Sequence, residues 1–226
     1  MPMVVKVSGA PAPVEDRRGQ RLAGWAAVAA AVAFLVQPLS VGFLPFNLEE
    51  VRDPVELSRY WWAGTLQAVE FTVVALAVLV LVSALRPLWH DGPGGGVTYL
   101  LGCISGGAFL LQASLSAATY SWWLMQDASE FSPNPQVRSA ILFGTFVAGY
   151  AFLGLANLAS AGWIIGLVIS GRHRGWLGVP FSVFALAVAA LLAVGTLLGF
   201  TIPTVIVHLL FWMVLGVKLL RSAPAT

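Results

Sequence analysis

The chain has 226 residues, 58% hydrophobic and only 10% charged, with a formal net charge of +2. Soluble domains are about 45–50% apolar and about 25% charged, so this composition excludes a water-soluble globule and equally a disordered chain. It predicts an all-α, polytopic transmembrane bundle; apolar runs that continue without alternating at every second residue argue against a β-barrel.

In chain order, residues 1–20 read as an N-terminal tail, 21–221 as a transmembrane domain and 222–226 as a second short tail. The first apolar run, from Leu22, is too long for a signal-peptide core and lacks a small-residue cleavage site. Six spans are predicted, at about 22–44, 61–85, 97–120, 139–169, 177–199 and 202–220, each near or above the roughly 20 residues a bilayer requires. Gln37-Pro38 should kink span one. Asp53-Pro54-Val55-Glu56 has the form of a helix start, with Asp53 capping and Pro54 at the first helical position, so span two should begin outside the membrane. Pro87, the run Gly92-Pro93-Gly94-Gly95-Gly96, Pro133 with Pro135, and Gly199 to Pro203 mark the later breaks. No internal repeat is visible, which gives an inverted-repeat transporter little support.

Nine of the twelve basic residues (Lys6, Arg17, Arg18, Arg21, Arg86, Arg172, Arg174, Lys218 and Arg221) fall on one side of this topology, and Arg52, Arg59 and Arg138 on the other. The positive-inside rule then predicts both termini in the cytoplasm, with bacterial cytoplasmic membrane as the expected location. Trp61, Trp62, Trp122 and Trp123 fall where an outer aromatic belt belongs, and Trp25, Trp89 and Trp176 near the inner one.

The polar residues at membrane depth carry what chemistry the sequence holds. Glu70 is the one carboxylate within any span. Nine residues from the outer end of span two put it about 13 Å deep, near the midplane. A charge there costs at least a few kcal/mol, so Glu70 should be neutral, paired or facing water. His208 lies roughly 9 Å below the outer end of span six, and Gln37 and Gln112 roughly 10–12 Å below those of spans one and three. Gln67 shares the face of Glu70. Ser105, Gln112, Ser116 and Thr119 form a stripe on span three, and Tyr150, Gly154 and Asn157 another on span four. These residues are expected to meet in one cluster, with Glu70 and His208 as an acid–base pair, and Gln37, Gln67, Gln112, Ser116, Tyr150, Asn157 and Trp212 as ligand-binding positions. Serine, threonine and glutamine also join membrane helices with no functional role. Gly102-Cys103-Ile104-Ser105-Gly106 and Gly162-Trp163-Ile164-Ile165-Gly166 are small-xxx-small patterns, read here as internal packing.

Other chemistries find little support. The three histidines share no short spacing, so haem, zinc and di-iron sites lack their usual ligands, and no cofactor is expected. Cys103 is alone, so no internal disulfide forms. No basic stretch is interleaved with aromatics, which speaks against nucleic acid.

Three stretches resemble a family of small, mostly six-helix bacterial membrane proteins with no assigned function. They are the acid within span two with an apolar run ending in Leu85-Arg86-Pro87-Leu88, the basic turn with Gly175-Trp176-Leu177-Gly178, and the last span ending at Lys218. The resemblance covers roughly residues 20–220 and implies a six-helix topology. The family's acid ten residues before the terminal lysine is replaced here by His208, and its Arg-x-x-Glu-like pair in span three is missing.

Three functions are then expected in competition. The first is a protein that binds a lipid, quinone or isoprenoid-like molecule in a polar-lined cavity open to the outer leaflet. The second is a metal-free intramembrane isomerase or cyclase using Glu70 and His208. The third is a small proton-coupled transporter. Membrane lipids or a hydrophobic small molecule are the expected partners, with a second copy or another membrane protein as further candidates.

Overall fold

The computed structural model describes residues 14–42, 61–89, 94–120, 134–199 and 201–222. Among these residues the chain is entirely helical. Six long helices occupy it: α1 (Val14–Gly42), α2 (Trp61–Ala84), α3 (Gly95–Tyr120), α4 (Pro135–His173), α5 (Val179–Leu197) and α6 (Thr201–Ser222). One further helical turn, Arg86–Trp89, follows α2. All six are long and apolar enough to cross a membrane. The predicted spans coincide with them to within a few residues at most ends. The exception is the start of α1, which begins at Val14, inside the segment read as a tail. The proposed helix start at Asp53–Glu56 and the belt residues Trp122 and Trp123 lie outside the described residues.

The ends of the helices have local causes. Asn134 accepts the Gln136 backbone N–H at 2.9 Å and Pro135 occupies the first helical position of α4. At the other end of α4, Gly175 takes φ +68. This left-handed residue turns the chain back so that Trp176 N–H and Leu177 N–H both donate to the Gly171 carbonyl, at 2.9 and 3.0 Å. Gly199, at φ +75, follows α5, and its N–H donates to the Thr196 carbonyl at 3.1 Å. Thirty-nine residues make α4 about 58 Å long, so it extends well beyond a hydrocarbon core about 30 Å thick.

Each long helix packs on its neighbours in sequence, and α6 returns to pack on α1. The result is a closed ring of six helices. Small residues set the close approaches, as they must where lipid supplies no hydrophobic drive between helices. A methyl group at Gly106 would sit 2.7 Å from Leu79 Cγ on α2, and one at Gly162 would sit 2.8 Å from Leu101 Cδ1 on α3. Gly102 abuts Val82, and Gly166 abuts Thr98. Both glycine patterns therefore serve internal packing. The α6–α1 seam closes on Gly24, where a methyl group would lie 2.8 Å from Leu220, and on Gly216, against Val28 and the Gly24 carbonyl.

The interior of the ring is filled. Phe34, Phe71, Phe109, Trp163, Phe211 and Trp212 are all buried there with a matching aliphatic set. Large apolar residues such as Leu35, Leu100, Ile169 and Val183 face outward, as lipid contact requires. Trp25, Trp61 and Trp62 are exposed on the periphery.

Candidate functional site

The hydrogen bonds among polar residues of the spans fall into two groups. The first joins α1, α2 and α3 in the half of the bundle that the basic-residue bias assigns to the outside. Glu70 is only 5% exposed, and its Oε2 accepts a hydrogen bond from the Ser40 hydroxyl at 2.8 Å. The same hydroxyl lies 2.9 Å from the Gln37 backbone carbonyl one turn away. Its single proton thus faces two acceptors. Gln67, one turn from Glu70, accepts from the Ser116 hydroxyl at 3.0 Å, and Ser116 receives a longer 3.4 Å contact from Gln112 Nε2. The Gln112 side chain lies over Gly149 of α4, where a methyl group would come within 3.0 Å of Oε1.

This group is incompletely hydrogen-bonded. Gln37 Oε1, Glu70 Oε1 and Gln112 Oε1 are all buried without a donor. A buried polar atom left unpaired costs about 1–3 kcal/mol, so three on adjoining helices demand an explanation. Glu70 is the firmest of the three, because a carboxylate has no amide nitrogen with which its oxygen might be exchanged. Gln67 and Gln112 are half-buried, so the group is more enclosed around Glu70 than around these two amides.

The second group is apart from the first. His208 is 2% exposed, and its Nε2 lies 2.9 Å from Asn157 Oδ1 on α4. Its ring stacks on Phe34 at 4.8 Å between centroids and meets the edge of Phe109 at 5.8 Å. Phe109 also stacks on Phe71, the residue after Glu70, at 6.1 Å, so aromatic rings lie between the two groups. Further in, Trp163, Phe211 and Trp212 pack with centroids 5.6 to 5.8 Å apart. The two indole N–H groups, like His208 Nδ1, have no partner.

Against the expectation of one cluster drawn from five helices, the hydrogen bonds join Ser40 to Glu70 and the Gln37 carbonyl, Ser116 to Gln67 and Gln112, and separately His208 to Asn157. Glu70 and His208 do not bond to each other: the carboxyl is held by Ser40 and the imidazole by Asn157. Trp212 is buried in the aromatic layer beneath His208. Tyr150 is 60% exposed, so the stripe Tyr150-Gly154-Asn157 does not present one inward face. Ser105 meets Ser160 at 2.8 Å and ties α3 to α4. The sequence reading overlooked Ser40, although its place one turn after Gln37 on the same face was a visible signal, and it overlooked the buried Trp163.

Among the described residues no group of His, Cys, Asp or Glu is arranged to hold a metal ion. No protein-family model, curated protein or solved structure matches the chain.

Proposed function

We propose that this integral membrane protein binds the polar head of a hydrophobic molecule at the Gln37–Ser40–Gln67–Glu70–Gln112–Ser116 cluster. The observation that carries this reading is the set of three buried acceptor oxygens without donors on α1, α2 and α3. A ligand that brings hydrogen-bond donors satisfies them; an apolar ligand does not. Gln67 and Gln112 are only half-buried, which leaves this side of the cluster accessible to such a head, with its apolar part against the lipid-facing helix surfaces. Ligand sites in helix bundles commonly combine apolar walls with a few convergent polar groups. The acid–base alternative needs two groups within reach of one substrate position, and Glu70 and His208 are held by different partners.

The test is a lipid extraction. The full chain and its Glu70→Leu variant are purified in mild detergent, and the co-purified small molecules are quantified by mass spectrometry. A hydroxyl- or amine-bearing lipid should be retained stoichiometrically by the wild type and depleted in the variant. Extracts from both proteins that match the bulk membrane would overturn the proposal. Tyr150→Phe, on the exposed side of α4, should retain the ligand as the wild type does.

A further inference from the structure

Two short contacts compete for one hydrogen where α1 meets α2. Ser40 Oγ stands 2.8 Å from Glu70 Oε2 and 2.9 Å from the Gln37 carbonyl oxygen. A hydroxyl has one hydrogen to give and lone pairs with which to accept. A carboxylate and a carbonyl can only accept. With Glu70 ionised, one of the two contacts would therefore set two oxygens face to face with no hydrogen between them. A proton on Glu70 Oε2 removes the conflict: the 2.8 Å contact then runs from the carboxyl O–H to Ser40, and the Ser40 hydrogen is left for the Gln37 carbonyl.

The second carboxyl oxygen points the same way. Glu70 Oε1 is buried with no donor. In a carboxylate that atom shares a buried negative charge; in a carboxylic acid it is a neutral carbonyl oxygen, which is far less costly to leave unpaired. The surroundings supply no counter-charge. The stretches 22–51, 60–85, 87–137, 139–171 and 175–217 contain no lysine or arginine, and His208 is bonded to Asn157. On the helices packed against α2, α1 has no titratable side chain from Leu22 to Gly42. On α3 there are Tyr99 and Cys103, more than two turns inward of Gln112, and Tyr120 at the outer end.

We infer that Glu70 holds a proton and donates it to Ser40, in a hydrogen-bonded chain that runs from the Glu70 O–H through the Ser40 O–H to the Gln37 carbonyl. The inference goes beyond a ligand at this cluster and does not need one. The chain ends beside Pro38, which has no N–H for the Phe34 carbonyl and so leaves that turn of α1 one helical bond short. Loss of the Glu70 proton would draw the Ser40 hydrogen to the carboxylate and release the Gln37 carbonyl. The proton on Glu70 thus sets whether Ser40 serves its own helix or α2, which makes the pair a proton-sensitive catch on the proline turn.

The experiment is infrared spectroscopy of the full chain in detergent at neutral pH. The wild type is compared with Glu70→Gln, Ser40→Ala and Ser40→Thr. The expected result is a carboxylic-acid carbonyl band in the wild type that is absent from Glu70→Gln. In Ser40→Ala the band should move to higher wavenumber, because the acid has lost the acceptor of its O–H, and Ser40→Thr, which keeps a hydroxyl, should return it towards the wild-type position. Wild-type protein carrying 13C-labelled glutamate keeps the test decisive if Glu70→Gln fails to fold. The other glutamates, Glu15, Glu49, Glu50, Glu56 and Glu130, lie outside the candidate spans, so an acid band that moves with the label belongs to Glu70.

A wild-type spectrum with carboxylate bands alone would overturn the inference. An acid band that stays in place in Ser40→Ala would overturn the chain, since Glu70 would then hold its proton without giving it to Ser40.

Discussion

His208 shows how a titratable residue in a membrane span becomes a packing element. Its imidazole has one polar partner, Asn157, and two aromatic ones, Phe34 and Phe109. Interhelical hydrogen bonds of this kind are modest, because a chain unfolded within the membrane also finds partners. A double-mutant cycle on His208→Ala and Asn157→Ala, read by unfolding in mixed micelles, should return a coupling of about 0.6 kcal/mol and no more than about 1.7. A coupling near zero would mean that the bond contributes nothing. Glu70 differs in kind: among the described residues Ser40 is its one side-chain partner, and one of its oxygens is unpaired. Its position near the midplane could be read from span two alone. Its partner could not, because depth says nothing about azimuth around the bundle axis.

At the scale of helices, glycines decide which pairs approach closely. A methyl group at Gly166 meets Thr98, whereas one at Gly144 of the same helix has nothing within 4 Å. Gly166→Ala should therefore cost about 1–3 kcal/mol through overpacking. Gly144→Ala should leave the unfolding transition unchanged or raise it, since alanine has up to about 1 kcal/mol higher helix propensity. Equal effects at the two sites would refute the assigned α3–α4 packing. The turn between α4 and α5 depends on backbone conformation instead. Gly175 has φ +68 and open space around it, so Gly175→Ala is a pure test of left-handed strain. A loss of about 1 kcal/mol is expected, the size typical of a non-glycine residue held there. The sequence motif Gly175-Trp176-Leu177-Gly178 is thus a helix cap folded onto Gly171, where Leu177 and Trp176 pack.

For the whole molecule, the ring order and its filled centre argue against a central pore. Phe34, Phe71, Phe109 and His208 pack ring on ring in the interior, as do Trp163 and Trp212. Orientation in the membrane is a separate matter, and the basic residues predict it: Arg172 and Arg174 inside, the segment around Ala128 outside. In a Cys103→Ala background, an impermeant thiol reagent added to intact cells should label Ala128→Cys and leave His173→Cys unmodified. The reverse pattern would invert the topology.

The sequence by itself determined the class, the number of spans and most of their ends, because about 20 continuous apolar residues have few ways to satisfy their backbone other than as a membrane helix. It also singled out Glu70, since a carboxylate stands out against an apolar background. Helix neighbours were decided only by tertiary packing. Periodicity fixes which residues share a face but not which helix that face meets. For that reason Gln67 with Ser116, Ser40 with Glu70, and Asn157 with His208 emerged only in three dimensions. The tertiary structure likewise turned Tyr150 outward and buried Trp163 and Trp212, because the ring leaves part of α4 uncovered while enclosing the faces of α4 and α6 that meet across its centre.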